Sequence, residues 1–151
     1  MPLDPDSGEL RFDDMSLVVG PGLRRSELDA HADASRFAPV SSDPPHAMLR
    51  ASSRLDGVLF VVVLWFEGEQ LRSVRLAAGD TAIAGTSWDD HDPERLRRFH
   101  DGWLERQLGP GSPTHAGAFP YGGTEYRFRW GTIGSYLHPQ DGNGNITLGY
   151  E

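Results

Sequence analysis

Residues 97–109, RRFHDGWLERQLG, set an imidazole, a carboxylate and an indole side by side. His100 beside Asp101 has the composition of a general base with its orienting acid, or of part of a metal site. Just upstream, Trp88-Asp89-Asp90-His91-Asp92 adds three carboxylates and a second imidazole. Spacing argues against one site made from both. If 93–108 is a helix, Asp101 points about 100° away from His100 and cannot face the same atom. The acids at 89, 90 and 92 are adjacent in sequence, whereas metal ligands are usually spaced, as in H-x-x-x-H. The histidines at 31, 46, 91, 100, 115 and 138 form no such pair. Two readings therefore stand. In one, His100 is a structural polar group bonded to a backbone carbonyl of a sheet, and the acids serve a helix N-terminus. In the other, His91, His100 and nearby carboxylates serve a metal-dependent or acid/base enzyme.

Other motifs carry less chemistry. Asp141-Gly142-Asn143-Gly144-Asn145 resembles the opening of a calcium loop, but the sixth position is Ile146 and no glutamate closes the set. A Gly/Asn hairpin turn explains it. No G-x-S-x-G elbow is present, and acids are too plentiful to single out a glycosidase pair. Residues 18–28, VVGPGLRRSEL, run from strand through glycines to helix, without the spacing or the lysine of a phosphate loop. Arg24 and Arg25 could still meet an anion there. No catalytic residue, metal ligand or cofactor site is expected.

Composition narrows the classes. All 14 basic residues are arginine, which removes lysine Schiff-base chemistry, and cysteine is absent, which removes thiolate chemistry and disulfides. A formal charge of −8 disfavours nucleic acid and favours a cationic protein partner. The longest apolar run, 58–66, is too short to span a membrane. The N-terminus has no basic region followed by an apolar stretch, so the expected location is the cytoplasm.

The length suits one domain, 1–151, with residues 1–9 as a loose Pro/Asp/Gly-rich tail. Leu10–Val19 reads as a strand bulged at Asp13-Asp14, Leu23–Ala34 as a helix, and 37–45 as a proline-rich loop. Strands over 47–55, 58–66 and 69–77 form a meander turning at Asp56-Gly57 and Glu67-Gly68. VLFVVVLWF (58–66) is apolar throughout, which predicts a central strand covered on both faces. Thr81–Trp88 is a strand or a crossing loop. Asp92-Pro93-Glu94 opens a helix that Gly109-Pro110 closes. Its apolar arc holds Leu96, Phe99, Trp103, Leu104 and Leu108, with His100 inside it. Strands over 125–130, 132–138 and 146–150 follow. The expected fold is α+β: one antiparallel sheet of about six or seven strands with two helices on one face. The sequence of a helix followed by strands, twice over, hints at a duplication.

Phe119, Tyr121, Tyr126 and Trp130 bracket a glycine-rich loop, either as contact residues for a partner or as core. The C-terminal part, RFHDGWLERQLG followed by YRFRWGTIGSYLHPQDGNGNITLGYE, carries an H-D-x-W-L helix, a strand ending in W-G and a terminal I-x-L-x-Y strand. With GVLFVVVLWFEGEQLRSVRLA (57–77), it resembles small bacterial proteins of the polymorphic-toxin immunity type. The resemblance covers about residues 57–151. It implies a non-enzymatic cytoplasmic protein that binds a cognate toxin, and no catalytic role transfers with it. Asp89, Asp90, Asp92, Tyr121 and Tyr126 are then the expected contact residues. A further reading, independent of the resemblance, is a structural homodimeric module of no catalytic function, paired through an exposed edge at 146–150; the chain is expected to be a monomer or a homodimer.

Overall fold

A computed structural model describes residues 2–79, 93–110, 112–113, 124–138 and 143–151. Its main body is an antiparallel sheet in the order β3-β4-β5-β6-β10-β9-β8-β7. The strands are β3 (Ala38–Asp43), β4 (His46–Leu55), β5 (Val58–Glu67), β6 (Gln70–Ala78), β7 (Ser112–Pro113), β8 (Thr124–Phe128), β9 (Gly131–His138) and β10 (Asn143–Tyr150). Two short strands, β1 (Leu10–Arg11) and β2 (Val18–Val19), pair separately. The helices are α1 (Arg25–Ala30) and α2 (Pro93–Leu108), with a 3-10 turn at Ala34–Arg36. The protein is α+β, mostly sheet, as expected.

The meander β4-β5-β6 forms where the hydrophobic pattern and turn residues agree. Asp56 and Gly57 take positive φ (51° and 78°), as a two-residue hairpin turn requires. Each strand then buries alternate residues: Leu49, Ala51 and Leu55 on β4, Phe60, Val62, Leu64 and Phe66 on β5, Val74 and Leu76 on β6. Helix α2 lays Leu96, His100, Trp103 and Leu104 on this core, with Trp103 edge-on to Phe60 at 5.3 Å. It crosses close to β10: a Cβ on Gly144 would meet the Tyr136 carbonyl at 3.3 Å and the Arg97 backbone at 3.9 Å. Glycine there lets helix and strand approach.

The N-terminal segment covers the rest of the same face. Arg25 lies over the core-facing Phe66 ring, and Asp14 bonds the core-facing Ser53. Carboxylates fasten it: Asp13 accepts from the Asp56 and Gly57 amides, Asp33 from the Ser16 and Leu17 amides, and Glu69 from the amide and hydroxyl of Ser26.

Several expectations are corrected. Residues 2–9 are not a loose tail. Leu3 is fully buried, the Trp130 indole donates to the Pro5 carbonyl at 2.8 Å, and the Tyr150 hydroxyl donates to the Gly8 carbonyl at 2.9 Å. The single strand over 10–19 is a hairpin, because Asp13 and Asp14 turn toward β4 to accept hydrogen bonds. The helix over 23–34 is only Arg25–Ala30. The loop over 37–45 is strand β3, an edge where Pro39 sits at a register shift, a position that tolerates a missing amide. Residues 146–150 are not an edge: β10 lies between β6 and β9. Asn143-Gly144-Asn145, expected in a turn, begins β10. The segment at 81–88 lies outside the described residues.

Candidate functional site on the open face of the sheet

Both helices and the N-terminal hairpin pack on one face of the sheet. On the other face the even–odd alternation leaves Leu59, Val61, Val63 and Trp65 of β5 half-buried. The expectation that 58–66 is covered on both faces is therefore corrected. Its uniform apolarity conceals one core-facing set and one set over which no described helix or hairpin packs.

Register places those neighbours. Arg50 pairs with Val63 and Val63 with Arg75, so one row across three strands reads arginine, valine, arginine. The next row is Met48, Trp65, Ser73. With strands about 4.8 Å apart, the two arginine Cα atoms stand about 10 Å apart. Met48, Val63, Trp65, Ser73 and Arg75 line a hollow of about 180 Å³. The His46 ring stacks on Trp65 at 5.3 Å and 18° and steadies the indole. Arg50 and Arg75 are exposed, and neither has a hydrogen bond or ion pair among the described residues. Many other arginines are engaged: Arg24 with Glu69, Arg25 with Asp29, Arg36 with Asp14, Arg72 with Glu67 and Arg127 with Glu125. Arg24 and Arg25, weighed as anion contacts, are thus committed internally.

His100 is fully buried. Its Nε2 accepts from the Ala78 amide at 3.1 Å, whereas a carbonyl partner was expected. An accepting Nε2 leaves the ring proton on Nδ1, which has no partner among the described residues. Burial pushes its pKa down from 6.5 to about 4, so the ring is neutral. Asp101 turns away and pairs with Arg97 at 3.0 Å, so the two residues that suggested a base and its acid do not meet. Among the described residues no three His, Asp or Glu side chains gather as a metal site.

Tyr126 is buried and donates to the Gly109 carbonyl at 2.6 Å. With Asp101, Glu105, Pro110 and Thr124 it lines a second hollow, of about 170 Å³. Burial, then Glu105 and Asp101, raise its hydroxyl pKa. Trp130 is core, stacked on Phe128 at 5.2 Å. Asp89, Asp90, His91, Asp92, Phe119 and Tyr121 lie outside the described residues. The structure thus brings Tyr126 together with Glu105, which sequence reasoning had not singled out, and with Asp101, which it had weighed only as a partner of His100.

Reading the sequence also missed Arg50, Met48, Trp65 and Arg75 as a group. A signal was present. Arg50, Ser52 and Arg54 alternate with Leu49, Ala51 and Ser53, which marks an outward polar row. Any strand paired beside it must turn alternate residues the same way. No helix among the described residues is long and apolar enough to cross a membrane. Comparison with known proteins found no matching family model, no matching curated protein and no matching solved structure.

Proposed function

We propose that the chain is a non-enzymatic protein-binding module of the bacterial cytoplasm, of the immunity type, which neutralises a toxin by covering part of its surface. One observation carries this reading: a preformed sheet face on which a tryptophan, a methionine and arginines without an ion pair among the described residues stand together. These residue types are enriched at the centres of protein interfaces. The face is built on paired strands, so little ordering entropy is lost on docking. The position of His100 adds support. A base must reach its substrate, and this imidazole is sealed with its accepting nitrogen in use.

The test is co-expression with the product of the gene adjacent to its own. Growth rescue and a stable purified complex are the expected results. A neighbour whose toxicity is unchanged, and which does not co-purify, overturns the reading.

A further inference from the structure

We infer that the hollow formed by Met48, Val63, Trp65, Ser73 and Arg75, with Arg50 on the far side of Val63, receives one apolar side chain from an acidic, extended segment of a partner protein. This rests on the protein-binding function proposed above and names the chemistry of the partner at that face.

Size selects the occupant. Ligand pockets for free small molecules run from about 300 to 1,000 Å³. The hollow here, about 180 Å³, suits a single side chain delivered by a larger body. Its walls are an indole, a thioether and an isopropyl group, and methionine adapts to the shape of an incoming residue. The Ser73 hydroxyl makes no hydrogen bond among the described residues, so it is left for the incoming backbone.

Charge selects the flanking residues. Arg50 and Arg75 stand on either side of Val63, each without an acid among the described residues. In an extended segment, alternate side chains point the same way, about 6.6 Å apart. A pattern of acid, any residue, apolar residue, any residue, acid therefore presents all three groups to one face. The apolar group enters the hollow and a carboxylate meets each guanidinium, in the bidentate geometry arginine favours.

The overall charge of −8 does not oppose this. Acids that fasten the N-terminal segment, such as Asp13, Asp14 and Asp33, lie on the opposite layer. Packed layers are about 10 Å apart, beyond the screening length of about 8 Å at physiological salt. On the open face itself, Glu67 is neutralised by Arg72 and Glu125 by Arg127. A second copy of the chain fits poorly, because a face-to-face dimer sets arginines against arginines, and like charges in contact are costly.

The probe is the synthetic peptide acetyl-Gly-Asp-Thr-Phe-Thr-Asp-Gly-amide, titrated into the isotope-labelled protein and followed by amide chemical shifts. Saturable shifts confined to residues around 46–50, 61–65 and 73–77 are expected. Affinity should fall as salt rises from about 50 to 500 mM, and by about tenfold or more in Arg50→Glu or Arg75→Glu. Both arginines are exposed and unpaired, so thermal unfolding of the variants should match the parent. Peptides with lysine for aspartate, or alanine for phenylalanine, should not bind. No shifts at about 2 mM peptide, unchanged affinity in the charge-reversed variants, or shifts centred elsewhere would each overturn the inference. So would a dimer, seen by sedimentation, that Arg75→Glu dissociates. The two proposals separate in co-expression. Rescue that survives the double variant Arg50→Glu/Arg75→Glu removes this site and leaves the binding function. Absence of rescue by the parent chain, with the peptide still bound here, does the reverse.

Discussion

The amide of Ala78, the last residue of β6, donates to Nε2 of His100 at 3.1 Å and so ties the middle of α2 to the end of a central strand. The bond requires a neutral ring. Below pH 6.5 the unfolded chain holds a proton on this histidine, and the folded chain does not take it up until about pH 4. The unfolded state therefore binds more protons in that window, and stability rises with pH through it. About 2.5 pKa units correspond to about 3 kcal/mol. His100→Gln keeps an acceptor for the amide but cannot titrate. Denaturant unfolding between pH 4 and 7 should show the slope in the parent and its loss in the variant. Equal slopes would refute the assignment.

Asp14 should govern a lower window. Burial pushes its carboxyl up, but hydrogen bonds from Ser53, Arg36 and the Arg54 amide outweigh this and bring its pKa from 3.8 down to about 2. A depressed carboxyl contributes stability that is present above pH 3.8 and lost as the pH falls through 2. Asp14→Asn should cost about 1 to 2 kcal/mol at pH 7. The figure is small for charged hydrogen bonds because the carboxylate is 43% exposed, where water screens it. Urea unfolding checks this: a neutral variant would mean that Ser53 and Arg36 find other acceptors.

Gly8 is predicted to be intolerant of any side chain. Its φ is +76°, and a Cβ would fall 2.5 Å from the Trp130 ring. Gly8→Ala should displace the segment that Trp130 and Tyr150 hold by their hydrogen bonds to Pro5 and Gly8. Faster amide exchange and proteolysis over residues 2–11 are expected, with the β4-β5-β6 amides unchanged. Protection at 2–11 equal to the parent's would contradict the docking.

Trp103 separates volume from hydrogen bonding. It is 1% exposed, and its indole N–H is buried without a partner among the described residues. Trp103→Ala should cost about 3 to 5 kcal/mol through the cavity it leaves. Trp103→Phe also removes the unsatisfied donor, which offsets part of the lost packing, so its cost should stay below about 1.5 kcal/mol. Thermal unfolding of the pair would decide. Similar losses would mean that the N–H is satisfied after all.

What was legible in the sequence follows from the range of each interaction. Helix α2 was readable because its opening proline, its apolar arc and its closing glycine all lie within one stretch. The β4-β5-β6 meander was readable because turn chemistry sits between adjacent strands. The docking of residues 2–9 was not, since Trp130 meets Pro5 and Tyr150 meets Gly8 across almost the whole chain. Strand β3 was hidden by Pro39, which an edge permits and an interior forbids, and by Pro44 and Pro45 just beyond it. The open face failed for a subtler reason. A run of nine apolar residues looks the same whether one face or both are covered, and only register shows that Arg50 and Arg75 share Val63.

The strand order has one further consequence. From either edge it reads as four strands in chain order, β3 to β6 and β7 to β10, and the two ribbons meet only where β6 runs beside β10. Within each ribbon every strand pairs with its neighbour in the chain. The seam joins Ser73–Leu76 to Ile146–Gly149, more than about 70 residues away. By strand pairing alone the seam is a long-range closure, expected to form late in folding; α2 and the N-terminal segment then clasp it from one side, touching β4, β5 and β6 on one ribbon and β9 and β10 on the other.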